Sequence, residues 1–194
     1  SIGSSLEIIK DIGTSIEVDA AYGLSEFRGT HGIGHVRLAT ESIVNVSCAH
    51  PFWAYGFNDV AIVHNGQITN YHKMKRRLMQ RGFQFRTEND SELIAVYLAD
   101  KLDQGGSLDD ILAASVDEFD GTFSFLVATS GAMGFAKDYL AAKPMVVLER
   151  EDIIAVASEE VSLNRLFPGE ALLTYEPFPG THKTWERSTL ATRA

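Results

Sequence analysis

The spacing of apolar residues predicts three helices in the middle of the chain. The first follows Asn70, a good N-cap residue, and its apolar positions recur three and four residues apart until Gly82, which is placed to end it in a left-handed cap. The second begins at Asn89 or Asp90, and the third begins at Ser107. Each carries its apolar residues on one face, so each is expected to bury that face against a core.

Alternation of apolar and polar residues predicts β-strands before and after these helices. Two strands are expected over 34–39 and 60–63, and the second runs into a His-Asn-Gly sequence. Beyond residue 121 the period changes, and turns rich in Gly, Asp and Pro separate further strands, which are expected to pair antiparallel. These strands are predicted at 122–129, 134–137, 145–148, 153–157 and 171–175.

The ends of the chain give weaker signals. Residues 6–9 suggest a strand and 16–19 a helical turn, and 158–163 indicates a second short helical turn. Residues 176–194 are polar, are broken by Pro and Gly and show no clear period. We therefore expect a single domain over 1–175, followed by a loosely attached tail.

Composition limits the class of protein. Of the 194 residues, 45% are hydrophobic and 22% are charged, which is typical of one ordinary globular domain. The formal net charge of −9 argues against a nucleic-acid partner, because Lys and Arg make most phosphate contacts. No stretch approaches the roughly 18 apolar residues of a membrane span. With one cysteine no intrachain disulfide can form, so we expect a cytoplasmic protein.

Arg37 lies in a predicted strand of otherwise apolar residues, where a buried guanidinium needs an anion close by. It could hold the α-carboxylate of an amino acid, with the hydroxyl of Thr40 contacting the same group. It could instead form a structural ion pair, with Thr40 as an ordinary β-branched strand residue. The strand by itself favours the ion pair.

Asn65 and Gly66 form the dipeptide most typical of a two-residue hairpin turn. The residues after them lead quickly into a helix, which favours a second interpretation. In that interpretation the Asn side chain and the Gly backbone N–H are the two donors of an oxyanion hole. Asp90 is also open to two interpretations, as a helix cap or as a carboxylate that pairs with a substrate α-ammonium group.

Cys48 and His50 are two residues apart, so they would share a face of an extended segment and could form a Cys–His catalytic pair. A free cysteine is more often a small buried apolar residue, and this interpretation is favoured. The six histidines lack the spacing of a zinc site. The sequence therefore predicts neither a metal nor a cofactor.

Six short motifs follow one another along the chain: GHVRLAT at 34–40, HPF at 50–52, HNG at 64–66, TENDSE at 87–92, DGTF at 120–123 and ASEE at 157–160. Class II glutamine amidotransferase domains carry these motifs in the same order, and residues 30–163 resemble that family. The sequences at 29–35 and 39–42 look most like those of the glutamate-synthase-type amidotransferase subunits, including those of N-methylglutamate synthase systems.

The resemblance implies an α+β fold, the four-layer αββα sandwich of the N-terminal-nucleophile (Ntn) hydrolases. It implies that Arg37 and Thr40 hold the carboxylate of glutamine and that Asp90 holds its amino group. It also implies that Asn65 and the N–H of Gly66 form the oxyanion hole. In the family an N-terminal cysteine attacks the amide, ammonia leaves and water releases glutamate.

The family begins with Cys-Gly-Ile, and this sequence does not. We therefore expect the C-terminal part of the fold, incomplete at its N-terminus, with the nucleophilic cysteine on an upstream segment or another chain. Ser1 as a substitute nucleophile is disfavoured. The expected function is a glutaminase component that supplies ammonia to synthase subunits in a hetero-oligomer. The alternatives are a non-catalytic module that binds glutamine or glutamate, and a structural subunit whose pocket is vestigial.

Overall fold

The computed structural model describes residues 5–37, 45–57 and 59–187. Its helices are α1 (Ser15–Tyr22), α2 (Tyr71–Gln80), α3 (Asp90–Asp103), α4 (Leu108–Glu118) and α5 (Glu160–Leu166). Its strands are β1 (Phe52–Trp53), β2 (Val60–Ile68), β3 (Gly121–Thr129), β4 (Ala132–Lys137), β5 (Val146–Glu149), β6 (Ile154–Ala157), β7 (Thr174–Tyr175) and β8 (His182–Glu186). All pair antiparallel, in a five-stranded sheet of order β1-β2-β3-β4-β8 and a three-stranded sheet of order β6-β5-β7.

Apolar clusters define four layers. The largest cluster fills the space between the five-stranded sheet and the helices α2, α3 and α4, and includes the fully buried Ile62 and Leu93. A second cluster joins the two sheets through Phe135 and Val147. A third places Leu163 of α5 against the outer face of the three-stranded sheet. The order helix, sheet, sheet, helix is the αββα sandwich, so the predicted fold class is confirmed.

The three predicted central helices are confirmed. The side chain of Asn89 accepts a hydrogen bond from the N–H of Ser91 and so caps α3. Gly82 follows α2 with a φ of 97°, the left-handed conformation expected there. The prediction that Asn70 caps α2 is wrong, because its side chain makes no capping hydrogen bond. Its amide instead donates to the carbonyl of Glu118 at 2.8 Å.

Strand β2 is longer than predicted, because it continues through Asn65 and Gly66 while paired with β3. The hairpin-turn interpretation of this dipeptide is therefore wrong. Gly66 has the positive φ of 131° that a hairpin turn would use, but has it inside a strand. A Cβ atom at Gly66 would lie 1.9 Å from the carbonyl oxygen of Thr122, so only glycine fits this close approach of two strands.

Two other predicted strands are absent from the described residues. Residues 6–9 form no strand, and neither do 34–37, the described part of the strand predicted at 34–39. The tail predicted from residue 176 is wrong over His182–Glu186, because this segment is β8 and pairs with β4. One aromatic residue anchors β8: the ring of Trp185 lies 5.7 Å from that of Phe135. A strand held by a single large apolar side chain gives almost no periodic signal.

The remaining predictions differ from the structure mainly at element ends. The strands predicted between residues 122 and 157 correspond to β3, β4, β5 and β6, and the strand predicted at 171–175 shortens to β7. The helical turns predicted at 16–19 and 158–163 correspond to α1 and α5. Across the described ranges, no helix is both long enough and apolar enough to cross a membrane.

Candidate functional site

The candidate site lies where β2 meets the start of α3. Strand β2 presents His64 and Asn65 in succession, and successive strand residues face opposite sides of a sheet. Nδ1 of His64 lies 3.0 Å from Oγ of Ser91 on α3. The side-chain amide of Asn65 points the other way, with Nδ2 3.5 Å from Oγ of Ser158, just after β6. His64 and Asn65 therefore make their side-chain contacts on opposite sides of the sheet.

Asp90, the first residue of α3, ties this helix to β2. One carboxylate oxygen accepts a hydrogen bond from the N–H of Ile68 at 3.0 Å, and the other lies 3.7 Å from Nδ1 of His64. The cap of α3 is Asn89, so capping does not account for Asp90. The Asp90 side chain is 24% exposed, which leaves room for a further cationic partner.

A contact from His35 sets the orientation of the Asn65 amide. Nε2 of His35 lies 3.1 Å from Oδ1 of Asn65, and because an amide oxygen only accepts, His35 donates from Nε2. The Asn65 amide nitrogen is left as a donor. Its contact with Ser158 is at the outer limit of a hydrogen bond, so this nitrogen retains donor capacity.

His50 completes a group of three histidines. The centre of its ring lies 4.2 Å from the centre of the His35 ring. Burial, together with the nearby positive charges of groups that include Arg37, lowers the pKa of His50 to about 3. Burial also lowers the pKa of His64 to about 4, although the neighbouring Asp90 carboxylate acts in the opposite direction. Both imidazoles are therefore neutral near pH 7.

Of the two residues predicted to bind a carboxylate, the structure describes Arg37 but not Thr40. Arg37 is exposed and lies outside any strand, so the burial argument made for its guanidinium is wrong. It lines an open cleft of about 900 Å³ that is formed by residues between 7 and 37 and between 45 and 51. Thr40 lies outside the described residues. The carboxylate-binding role of both residues stays a prediction.

A smaller cavity of about 80 Å³ lies between the two sheets and is lined by His64, Asn65 and Ser158. Gly34 and His35 line both this cavity and the cleft, so the two spaces adjoin at these residues. Asp90 lines neither space. The structure thus places Arg37 at the cleft and Asn65 at the adjoining cavity, and it links Asp90 to them through His64.

Cys48 is partly buried and also lines the cleft. It does not form the catalytic pair with His50 that their spacing allowed. Nε2 of His50 contacts Ser91, and Nδ1 of His50 has no hydrogen-bond partner among the described residues. The segment turns at Val46–Cys48 in a single 3-10 turn, so the two side chains do not follow the extended geometry that was assumed.

Sequence reasoning missed the group formed by His35, His50, His64 and Ser91. All four lie inside the motifs on which the family resemblance rests, and that shared membership is the signal that could have found them. Within the described ranges, no group of three or more His, Cys, Asp or Glu side chains is placed to hold a metal ion.

The family sequence model for the glutamine amidotransferase domain matches residues 35–165. The matched region contains β1 to β6 and the residues of the candidate site except the cleft wall before residue 35. Fold and match together define the class of the protein: the chain belongs to the glutamine amidotransferase family.

Two curated relatives cover most of this chain. A putative glutamine amidotransferase from Methanothermobacter thermautotrophicus is 48% identical over 162 residues, which are 84% of this chain and 53% of the relative. The glutamine amidotransferase-like protein GlxB from Rhizobium meliloti is 38% identical over 189 residues, which are 97% of this chain and 62% of the relative. The chain thus spans between about half and about two thirds of the length of these relatives.

A solved structure shows the same fold. Glutamine phosphoribosylpyrophosphate amidotransferase from B. subtilis matches with a TM-score of 0.71 and 27% sequence identity, over 90% of this chain and 38% of that one. Its similarity supports the Ntn-type sandwich described above.

Proposed function

We propose that this chain forms the glutamine-binding part of a glutaminase that releases ammonia for synthase subunits. One observation carries the proposal. An amide donor, Asn65, and a partly exposed carboxylate, Asp90, are held on either side of His64 where β2 meets α3. An amino acid with a side-chain amide offers an ammonium group to the carboxylate and a carbonyl oxygen to the amide donor.

In this proposal Asp90 pairs with the α-ammonium group of glutamine, and Arg37 with Thr40 binds the α-carboxylate. The position of Asp90 supports its role, because the N–H of Ile68 fixes one carboxylate oxygen while the carboxylate stays partly exposed. Arg37 is exposed at the cleft, where a carboxylate can reach its guanidinium.

Asn65 and Gly66 are proposed as the oxyanion hole. His35 holds the amide oxygen of Asn65, which leaves the Nδ2 hydrogens for an anion. Gly66 allows β2 and β3 to approach closely beside it, and no side chain at position 66 would fit there. Two preorganised donors at one point stabilise a tetrahedral intermediate by a few kcal/mol.

The reaction would proceed through a thioester. A cysteine thiol gives up its proton and its sulfur adds to the amide carbon of glutamine. The amide nitrogen takes up a proton, the oxyanion collapses, and ammonia leaves. Water then adds to the thioester and releases glutamate and the thiol. We propose that the thiol belongs to a segment or chain outside this sequence, since the only cysteine here, Cys48, is not paired with His50.

The ammonia acceptor is proposed to be a subunit of a glutamate-synthase-type enzyme. The motifs at 29–35 and 39–42 support this assignment, because they resemble amidotransferase subunits of those systems.

Glutamate and ammonia release from glutamine, measured with the complete protein, tests the proposal. We expect both products in equal amounts, and we expect Arg37→Ala and Asp90→Ala to require more glutamine. The matched controls are Arg28→Ala, on the same exposed segment, and Asp103→Ala, at the exposed end of α3. Calorimetric binding of glutamine without any product would instead favour the non-catalytic binding module, and neither binding nor product would favour a structural subunit.

A further inference from the structure

A single serine hydroxyl joins two of the three histidines at the candidate site. Oγ of Ser91 lies 2.9 Å from Nε2 of His50 and 3.0 Å from Nδ1 of His64. Ser91 is 1% exposed, so bulk water does not compete for its hydroxyl. The remaining nitrogens, Nδ1 of His50 and Nε2 of His64, are buried without a hydrogen-bond partner among the described residues.

Proton counting makes these two contacts depend on each other. A hydroxyl has one hydrogen, and among the described residues the Ser91 hydroxyl bonds only to these two imidazoles, so it donates to one and accepts from the other. Both histidines are neutral, and each neutral imidazole carries its hydrogen on one nitrogen only. One of the two contacting nitrogens therefore carries a hydrogen and the other does not. The tautomer of His50 is tied to the tautomer of His64.

The carboxylate of Asp90 selects between the two arrangements. Its Oδ1 lies 3.7 Å from Nδ1 of His64, and a carboxylate only accepts, so it favours a hydrogen on that nitrogen. His64 then donates from Nδ1 to Ser91, and Ser91 donates to Nε2 of His50. His50 must carry its own hydrogen on Nδ1.

We propose that Ser91 is a positioning residue that fixes His64 and His50 as Nδ1–H tautomers and thereby connects Asp90 to Asn65. The connection runs from Asp90 to His64, through the hydroxyl to His50, and from the His50 ring to His35, which holds the Asn65 amide. Only the consequence for glutamine rests on the proposed function, because the tautomers are a property of the folded chain.

The consequence follows from the loss of one shared hydroxyl. In Ser91→Ala both imidazoles lose their bond, so His64 no longer has a fixed ring beside the Asp90 carboxylate. We expect the KM for glutamine to rise about three- to tenfold, the effect of one hydrogen bond. Ser91→Thr keeps the oxygen and should restore most of the affinity. The control is Ser115→Ala, since Ser115 is equally buried in α4 and its hydroxyl bonds only to the carbonyl of Leu112.

Nitrogen-15 NMR of histidine-labelled intact protein near pH 7 tests the proposal directly. We expect His50 and His64 both to show the Nδ1–H tautomer, and Ser91→Ala, but not Ser91→Thr or Ser115→Ala, to shift both signals. An Nε2–H tautomer at either residue, an imidazolium, or unchanged signals in Ser91→Ala would overturn it. If Ser91→Ala fails to fold, the wild-type tautomers still decide. The spectra need no turnover, so a failed glutaminase assay with the expected tautomers would refute only the proposed function.

Discussion

The segment 5–37, which we term the arm, and the frame formed by β2, β3 and the helix α3 are held in different ways. No described residue of the arm is buried, and α1 contributes none to a core. In α3, by contrast, every residue from 91 to 100 is buried. Asn65, Gly66 and Asp90 therefore lie on a packed frame, whereas Arg37 lies on the arm. One half of the candidate pocket is fixed by burial and the other half is not.

The arm is attached by polar and cation–π contacts. His31 bonds through Nε2 to the carbonyl of Thr129 at 2.7 Å, and His35 bonds to Asn65. The ammonium group of Lys10 lies 4.6 Å from the centre of the Phe52 ring. Such contacts specify where a segment lies but add little to the free energy of unfolding. Substitutions in the arm should therefore change substrate affinity with little effect on fold stability. Substitutions in the frame should change fold stability.

Truncating one isoleucine in each region should give the largest contrast. Ile62→Ala removes a fully buried side chain from the frame and should lower the free energy of unfolding by about 2–5 kcal/mol. Ile16→Ala changes a side chain that is 79% exposed and should stay within about 0.5 kcal/mol. Urea unfolding followed by circular dichroism measures both. Similar losses in the two variants would refute the contrast.

Asn65→Ala should reduce turnover about 100-fold while changing the glutamine requirement little, because an oxyanion donor acts on the transition state. Steady-state kinetics of the complete protein measures this. Asn70→Ala is the control, since that amide lies beyond the C-terminal end of β2 and bonds to the Glu118 carbonyl. Weakened binding with normal turnover would return Asn65 to a purely structural role.

Arg37→Ala and Asp90→Ala sharpen the contrast, because both should weaken glutamine binding but only one should weaken the fold. Each removes a charge-assisted contact of about 1.5–3 kcal/mol with the substrate. Asp90→Ala also removes the acceptor of the Ile68 N–H and should lower the free energy of unfolding, whereas Arg37→Ala should not. Paired binding and unfolding measurements decide, and a large stability loss in Arg37→Ala would contradict the account.

Acidification should destabilise the folded protein through two histidines of the site, His50 and His64. Burial lowers the pKa of His50 to about 3 and of His64 to about 4, from 6.5. Between pH 6.5 and about 4 the unfolded chain binds protons that the folded chain does not. The free energy of unfolding therefore falls with falling pH, by up to about 1.4 kcal/mol per pH unit for each histidine, and this contribution is constant above that window.

Urea unfolding at about pH 7, 6 and 5 measures this dependence. His50→Gln should show a smaller slope than the wild type, and His72→Gln, at an exposed position of α2, should keep the wild-type slope. Equal slopes in all three proteins would mean that burial of the site histidines does not govern the acid response.

The frame was largely predictable from the sequence. Helix α4, for example, carries its apolar residues on one face and begins after the capping residue Ser107, and both are local signals. The strand predicted at 60–63 ended too early because the Asn65-Gly66 dipeptide usually turns the chain. The close approach of β2 and β3 overrides this preference, and that approach is a tertiary effect. Strand β8 was missed because it carries one anchoring aromatic residue, Trp185.

The candidate site was predictable only in part. Asn65, Gly66, Asp90 and Arg37 were named from motifs, yet sequence cannot show that Asn89 and not Asp90 caps α3. The hydroxyl of Ser91 bridges histidines that come from segments 14 residues apart, at 50 and 64, and no periodicity encodes such a contact.

The most direct test of the central claim is to treat the complete protein with an alkylating analogue of glutamine and to locate the label by mass spectrometry. The account predicts one label, prevented by excess glutamine and formed more slowly in Asp90→Ala, on a cysteine outside these 194 residues, with Cys48 unmodified. A label on Cys48 or Ser1, or no label on any residue, would contradict it.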